Sequence, residues 1–182
     1  MQLPSFSGPF AEEVTQRVRR SGEDGVEQFA QDAPTDVDST VEVKSEVTTN
    51  DERTVQVRLN FFYYAQGAAY PLDGVNTVVL RRSDARPIML AEVFSAPSPA
   101  LQAALRHAST VAAENGNGDP AETLTTALRD WADWQAGPTG LTFSFDDGQA
   151  GSHATGLRQV DVPWSILRPW VRVDAYELLG PA

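Results

Sequence analysis

The residues best suited to covalent chemistry lie in one Gly-rich loop in the last quarter of the chain. Ser152 and His153 are neighbours there, and Asp146 and Asp147 precede them. A serine, an imidazole and a carboxylate that converge in space form the constellation used to hydrolyse esters and amides. Neighbouring side chains usually point apart, and the Gly-x-Ser-x-Gly turn of a nucleophile elbow is absent. We therefore predict no catalytic residue, with a secreted esterase or cell-wall hydrolase kept as the enzymatic alternative.

Signals for metals and cofactors are weak. The two histidines, His107 and His153, are not part of a His-x-x-x-His or Glu-x-x-His pair, and the chain has no cysteine. Asp146-Asp147-Gly148 lacks the alternate acids and the closing Glu of a calcium loop. Gly116-Asn117-Gly118-Asp119-Pro120-Ala121 has the spacing of a dinucleotide loop, but a predicted helix precedes it where a strand is required. The sequence therefore predicts no metal site and no cofactor.

Tyr70 is an aromatic residue whose position core packing does not explain. It follows Gly67 in a predicted turn, where no periodic pattern would bury it. Exposed aromatic side chains on loops often anchor protein partners. Tyr70 is therefore a candidate partner-binding residue, with packing inside its own loop as the equal alternative. The aromatic run Phe61-Phe62-Tyr63-Tyr64 is predicted to be core instead.

The charge of the chain restricts its partners. Asp and Glu number 25 against 14 Lys and Arg, so the net charge is −11. Nucleic acid and anionic membranes would be repelled, whereas a cationic partner would be attracted.

Lys44 is the single lysine among the basic residues, an arginine bias typical of an actinobacterial source.

Location has few signals in the sequence. Without cysteine, the redox compartment stays open. No apolar run reaches the roughly 18–20 residues of a membrane span, and residues 1–6 lack the features of a signal peptide. We expect a soluble chain that meets a membrane only through an anchor outside this sequence.

The elements that must position these residues centre on residues 54–94. Val55 to Tyr64 first alternates apolar and polar residues and then becomes continuously apolar, which predicts a central strand passing from half-covered to fully covered. Asn50-Asp51-Glu52 predicts a hairpin turn before it. Further strand patterns occupy Val41–Thr48, Val75–Arg82, Ile88–Phe94, Leu141–Phe145 and Leu157–Val162.

Helical patterns occupy the start and the middle of the chain. Apolar residues from Phe10 to Phe29 predict one helix with a weak or broken middle at Gly22 and Gly25. Ser98 as cap and Pro99 as first residue predict a second helix that ends near Asn115. A capping box, Asp119-Pro120-Ala121-Glu122, predicts a third, whose apolar face is Leu124, Leu128 and Trp131.

Together these patterns predict an α+β fold. We expect a mixed, mostly antiparallel β-sheet, with the N-terminal helix and two consecutive central helices packed on it. A chain of 182 residues is long enough for one domain with a full core, so we predict a single domain over residues 1–182, with its core at about 10–171.

Two blocks of the sequence resemble a known family. The first block contains Phe62-Tyr63-Tyr64-Ala65-Gln66-Gly67-Ala68-Ala69-Tyr70-Pro71, Arg86-Pro87-Ile88 and Leu90-Ala91-Glu92-Val93-Phe94. The second contains Gly140-Leu141-Thr142-Phe143-Ser144-Phe145 and Gln159-Val160-Asp161-Val162-Pro163-Trp164-Ser165-Ile166-Leu167. They resemble the domain of unknown function at the extracellular end of the lysozyme-sensing anti-sigma factor RsiV. That domain also occurs in the peptidoglycan deacetylase PdaC and in the mycobacterial secreted immunogenic antigen family.

Two loops depart from the family pattern. Tyr70 stands where the family has a turn histidine, and Asp146-Asp147-Gly148-Gln149-Ala150 replaces an Asn-Pro-x-Glu-Leu opening. These are the predicted recognition loops, with Tyr70, Asp146, Asp147 and His153 as ligand- or partner-binding residues. The resemblance implies an exported, non-catalytic domain, either secreted or at the cell surface.

We therefore expect an extracytoplasmic binding or sensing module. The expected ligand is a cationic protein such as lysozyme, or a cell-wall component, because the resemblance and the acidic charge agree. Besides the hydrolase, a secreted antigen-like effector that binds a host protein stays an alternative.

Overall fold

The computed structural model describes residues 2–32, 38–68, 70–116, 118–151 and 156–181. Within them lie five α-helices and two three-stranded antiparallel sheets, so the predicted α+β class is confirmed. The prediction of one sheet is wrong, because Phe61 belongs to the first sheet and Phe143 to the second. The chain divides into two compact units, Met1–Pro87 and Ile88–Ala182. A single domain over the whole chain stays a prediction.

The first unit is one helix on one sheet. Its elements are α1 (Ala11–Asp32), β1 (Ser39–Asn50), β2 (Thr54–Ala65) and β3 (Leu72–Arg81). The strand order is β1-β2-β3, which confirms β2 as the central strand. The predicted hairpin is also present: the Asp51 carboxylate accepts the backbone N–H groups of Arg53 at 2.8 Å and Thr54 at 2.7 Å. Such an Asx contact fixes the turn and so the register of both strands.

The core of the first unit lies between α1 and one face of the sheet. The fully buried side chains of α1 are Val14 and Val18. The buried residues that they pack with are Val43, Val55, Val57, Leu59, Phe61, Leu80 and Ala85. All four β2 members of this set are odd-numbered, because alternate side chains of a strand point to one face of the sheet.

Gly25 is a packing position in α1, and the expected break of the helix is wrong. A Cβ atom built at Gly25 would lie 2.6 Å from Cε1 of Phe61 and 3.0 Å from Nδ2 of Asn76. The Asn76 amide donates to the carbonyl of Ser21 at 2.9 Å. The helix thus passes so close to the sheet that only hydrogen fits at this position, and it stays continuous from Ala11 to Asp32.

The outer face of β2 becomes more exposed along the strand. Gln56 is buried, Arg58 and Asn60 are half-buried, and Phe62 and Tyr64 are exposed at 44% and 41%. The continuous apolar run therefore does not mark full cover, and the prediction of a core role for Phe62 and Tyr64 is wrong. Strand alternation buries Phe61 and Tyr63 and turns the two residues between and beyond them outward.

The second unit contains the remaining helices and the second sheet. Its elements are α2 (Leu90–Val93), α3 (Pro97–Glu114), two 3₁₀ turns (Pro120–Glu122 and Leu128–Trp131), β4 (Trp134–Ala136), β5 (Gly140–Phe145), β6 (Arg158–Pro163), α4 (Trp164–Leu167) and α5 (Val173–Leu179). The strand order is β4-β5-β6. The strands predicted at residues 141–145 and 157–162 are confirmed as β5 and β6.

Three local predictions in the second unit are wrong. The segment Ile88–Phe94 contains the short helix α2, and Phe94 contributes only an isolated bridge to Val171. Helix α3 begins at Pro97, without a side-chain cap, and not after Ser98. The predicted second central helix is replaced by the two 3₁₀ turns.

Hydrogen bonds of Asp130 explain why that second helix does not form. Its carboxylate accepts the backbone N–H of Thr125 at 2.9 Å and the hydroxyl of Thr125 at 2.5 Å. The Thr125 hydroxyl is the main cause that lowers the pKa of Asp130 below its usual value. Closing this loop lets the buried Trp131 place its ring edge-on to Phe143 and Phe145, at 4.9 Å and 5.4 Å between centroids.

We predict that Gly25→Ala destabilises the protein. Alanine is the better helix former by about 1 kcal/mol, but its methyl group must displace the buried ring of Phe61, and overpacking of this kind costs about 1–3 kcal/mol. A lower free energy of unfolding in urea titrations is therefore expected. Gly118→Ala is the control, since nothing lies within 4 Å of its Cβ position. Equal or higher stability of Gly25→Ala than of the unchanged chain would contradict the close approach.

Candidate functional site

Partly exposed aromatic residues gather at one end of the first sheet. Phe62 and Tyr64 lie on the outer face of β2, near its C-terminal end, and Tyr70 follows in the connection to β3. Tyr70 is 60% exposed. We call Phe62, Tyr64 and Tyr70, with the flanking acids Glu42 and Asp73, the outer aromatic surface.

The register of the sheet places an acid on each side of Phe62. Glu42 of β1 and Asp73 of β3 are both the direct partners of Phe62 across the ladder. Residues directly opposite in an antiparallel pair share a face, with Cβ atoms about 4.5–5.5 Å apart. The ring of Phe62 therefore has one carboxylate-bearing neighbour to its left and one to its right.

The connection that carries Tyr70 is shaped by glycine. Gly67 adopts φ of +87°, the left-handed region that favours glycine, and the N–H of Ala68 donates to the carbonyl of Ala65 at 3.0 Å. This turn ends β2 and brings Tyr70 to the same end of the sheet as Tyr64. The prediction of a turn at this place is confirmed, while the role of Tyr70 as a partner anchor stays a prediction.

Basic side chains on the same face form ion pairs with neighbouring acids. Lys44 lies two residues beyond Glu42 on β1, and its Nζ is 3.3 Å from Oε1 of Glu42. Further along the sheet, Nη2 of Arg58 is 2.5 Å from Oε2 of Glu46. Glu42, one of the two acids opposite Phe62, is thus already in contact with one cation of the chain itself.

An aromatic ring between carboxylates is chemically suited to a cation. The face of a ring attracts an ammonium or guanidinium group through its quadrupole, by roughly 0.5–1 kcal/mol at exposed sites. Flanking carboxylates add charge-assisted hydrogen bonds. The outer aromatic surface therefore combines two kinds of group that bind a cation, aromatic rings and carboxylates.

The predicted residues of the late loop belong to the second unit. Asp146 and Asp147 follow β5 and are half-buried. The backbone N–H of Asp146 donates to Oε1 of Gln149 at 3.0 Å, and the Gln149 amide donates to the carbonyl of Asp130 at 3.2 Å. This part of the loop is therefore tied back onto its own unit. Neither unit by itself brings Tyr70 together with these two acids.

The enzymatic alternative gains no support from the residues that are described. Ser152 and His153 lie outside the described residues, so their predicted roles are not tested. His107 lies on α3, with Nε2 3.1 Å from the backbone oxygen of Asp161. Within the described ranges, no three His, Asp or Glu residues are grouped as metal ligands, and no helix is long and apolar enough to cross a bilayer.

A cleft of about 400 Å³ lies between α3 and the start of β6. Ala108, Val111 and Ala112 form its helical wall. Its cation, Arg158, donates to the backbone oxygens of Gly118 and Ala150. The guanidinium therefore holds two segments of the second unit in place. We interpret the cleft as a packing gap and not as a binding site.

Phe62 and Tyr64 are the site residues that the sequence analysis missed. The signal that identifies them is the period of two that β2 shows at its start, continued through the aromatic run. With the hairpin register, the same period places Glu42 opposite Phe62. An outward aromatic residue opposite an acid indicates a recognition surface more than a core.

Comparisons with known proteins support the fold. No family model matches the sequence, and no curated protein matches it. A crystal structure of a DUF3298 family member from Bacteroides fragilis has a TM-score of 0.58 at 13% identity, over 90% of this chain and 65% of that one. A DUF3298 family protein from Pseudomonas aeruginosa has a TM-score of 0.60 at 14% identity, over 87% of this chain and 71% of that one.

These similarities define the class of fold. The chain has the fold found in DUF3298 family proteins, a family of domains of unknown function. It spans 65% of the length of the Bacteroides protein. Identities of this size establish the shared fold and leave ligand and activity to be inferred from the residues of this chain.

Neighbouring phenylalanines provide a test of the two faces of β2. We predict that Phe61→Ala costs about 3–5 kcal/mol of unfolding free energy, as for a buried aromatic residue. Phe62→Ala should cost about 1 kcal/mol or less, since only strand propensity and exposed contacts change. Chemical denaturation of both variants measures the difference. Similar large losses for both would show that Phe62 is part of the core and not of a free surface.

Proposed function

We propose that this chain is an extracytoplasmic, non-catalytic binding domain of the RsiV and PdaC type that binds a cationic protein through the outer aromatic surface. The structural neighbours support this assignment, because they are DUF3298 family proteins and the C-terminal domain of RsiV is in that family. The strand and turn segments that resemble the RsiV domain support it as well. Secretion or display at the cell surface is part of the same proposal.

The observation that carries the proposal is the exposure of Phe62 between Glu42 and Asp73. Large aromatic residues are enriched at the centres of protein interfaces, where they supply most of the binding energy. Here three of them lie at one end of one sheet, 41–60% exposed. A partner that covers them would gain apolar burial without any rearrangement of the sheet.

The acids next to Phe62 favour a cation over a neutral cell-wall sugar. Sugar-binding aromatic surfaces need no pair of carboxylates, whereas ammonium and guanidinium groups gain from both the ring and the acids. The net charge of −11 acts in the same direction at longer range. Opposite charge raises the encounter rate of two proteins and makes it dependent on salt.

We predict that lysozyme, used as the cationic probe, binds this chain and that the aromatic residues carry most of the affinity. The triple variant Phe62→Ser, Tyr64→Ser, Tyr70→Ser should bind at least about 30-fold more weakly, since a single interface hot spot contributes about 2 kcal/mol or more. Surface plasmon resonance at low and physiological salt measures both affinity and on-rate, and the on-rate should fall as salt rises.

The matched control is the double variant Met89→Ser, Val173→Ser. Both residues are large, apolar and exposed, at 60% and 65%, and they belong to the second unit. Their removal should leave lysozyme affinity unchanged within about twofold. Absence of binding by the unchanged chain at low salt, or equal losses in the two multiple variants, would refute the proposed surface.

A further inference from the structure

We propose that Lys44 is a built-in competitor for the cation-binding position of the outer aromatic surface. Its ammonium group occupies Glu42 in the free protein, and a lysine or arginine side chain of the partner displaces it. Lys44 matters in this way only if that surface is the binding site, so the inference rests on the proposed function. It adds the chemical group that is recognised and a residue that limits its affinity.

The geometry places Lys44 on the acid that adjoins the ring. Glu42 and Lys44 are two residues apart on β1 and therefore share a face. Glu42 is the cross-strand partner of Phe62, and Lys44 is the partner of the next outward residue, Asn60. With Nζ 3.3 Å from Oε1, the ammonium lies on the carboxylate that a cation above Phe62 would use.

The ion pair is weak enough to be exchanged. The side chains of Lys44 and Glu42 are 74% and 61% exposed, so water and salt screen their attraction. A partner cation gains the ring of Phe62 and the second acid, Asp73, in addition to Glu42. Lys44 is anchored on β1 opposite Asn60, two residues from Glu42, and so does not lie directly opposite the ring of Phe62.

Removal of the Lys44 side chain should therefore strengthen the binding of lysozyme at Glu42. In Lys44→Gln the carboxylate of Glu42 faces the partner without a resident cation, and lysozyme affinity should rise about three- to fivefold, the upper part of the range for one exposed ion pair. Lys44→Arg keeps the resident charge and should stay within about twofold of the unchanged chain.

A change in net charge could also explain stronger binding by Lys44→Gln, and a control variant distinguishes the two causes. Any lost cation makes the chain more acidic and speeds its encounter with lysozyme. Arg19→Gln removes one exposed positive charge from α1. It should raise affinity less than about twofold, mainly through the on-rate. The Lys44→Gln effect should appear in the off-rate as well.

A double-mutant cycle tests whether Lys44 acts through Glu42. In a Glu42→Gln background, Lys44→Gln should strengthen binding no more than Arg19→Gln does, because the carboxylate for which the two cations compete is gone. All variants are exposed substitutions, and unchanged urea midpoints would confirm that they fold. The four chains are compared by surface plasmon resonance with lysozyme.

The outcomes separate this inference from the proposed function. If the unchanged chain binds lysozyme through the aromatic residues but Lys44→Gln equals Arg19→Gln, or its effect survives in the Glu42→Gln background, the competitor role is wrong and the surface stands. If the unchanged chain does not bind, the proposed function fails and the role of Lys44 fails with it.

Discussion

The alternation of side chains along β2 is the constraint on which the first unit depends. Odd-numbered residues must pack against α1, and Gly25 lets the helix approach the ring of Phe61 closely. Once that face is fixed, Phe62 and Tyr64 have to point to the other side. A shift of one residue in register would bury them and expose Phe61 and Tyr63. The asymmetry of the sheet thus follows from the same contacts that stabilise it, and the exposed aromatic residues are a consequence of well-determined packing.

The outer face of the first sheet combines an aromatic ring with two carboxylates. Hairpin register brings one acid from each neighbouring strand beside Phe62, so a ring and two carboxylates are combined without a loop having to order itself. Sites on strands are more precisely held than sites on loops. The cation already present at Glu42, Lys44, has the chemistry that the surface is suited to recognise. In the second unit, by contrast, the Gln149 side chain ties the late loop to the carbonyl of Asp130 and accepts the backbone N–H of Asp146.

Local patterns in the sequence were sufficient for the elements of the first unit. The Asn50-Asp51-Glu52 turn, the alternation of β1 and the Gly67 turn are all short-range signals, and they predict the two hairpins. The division into two sheets depends on pairing between distant segments, which no local pattern encodes. The pattern at residues 119–131 predicted a helix, but the contacts of Asp130 with Thr125 form a loop there instead. The exposure of Phe62 was missed because a continuous apolar run was assumed to be covered on both sides. The C-terminal helix α5, Val173–Leu179, was not predicted. Of the predicted site residues, Tyr70 lies at the candidate surface, and the function of Asp146, Asp147 and His153 stays a prediction.

NMR can map directly the surface through which the chain binds lysozyme. Lysozyme would be titrated into the ¹⁵N-labelled chain while backbone amide shifts are followed. We expect the perturbed amides to cluster at residues 40–44, 62–64 and 70–73, on the outer face of the first sheet. Perturbations confined to residues 146–151 or to the face of α1 would contradict this expectation.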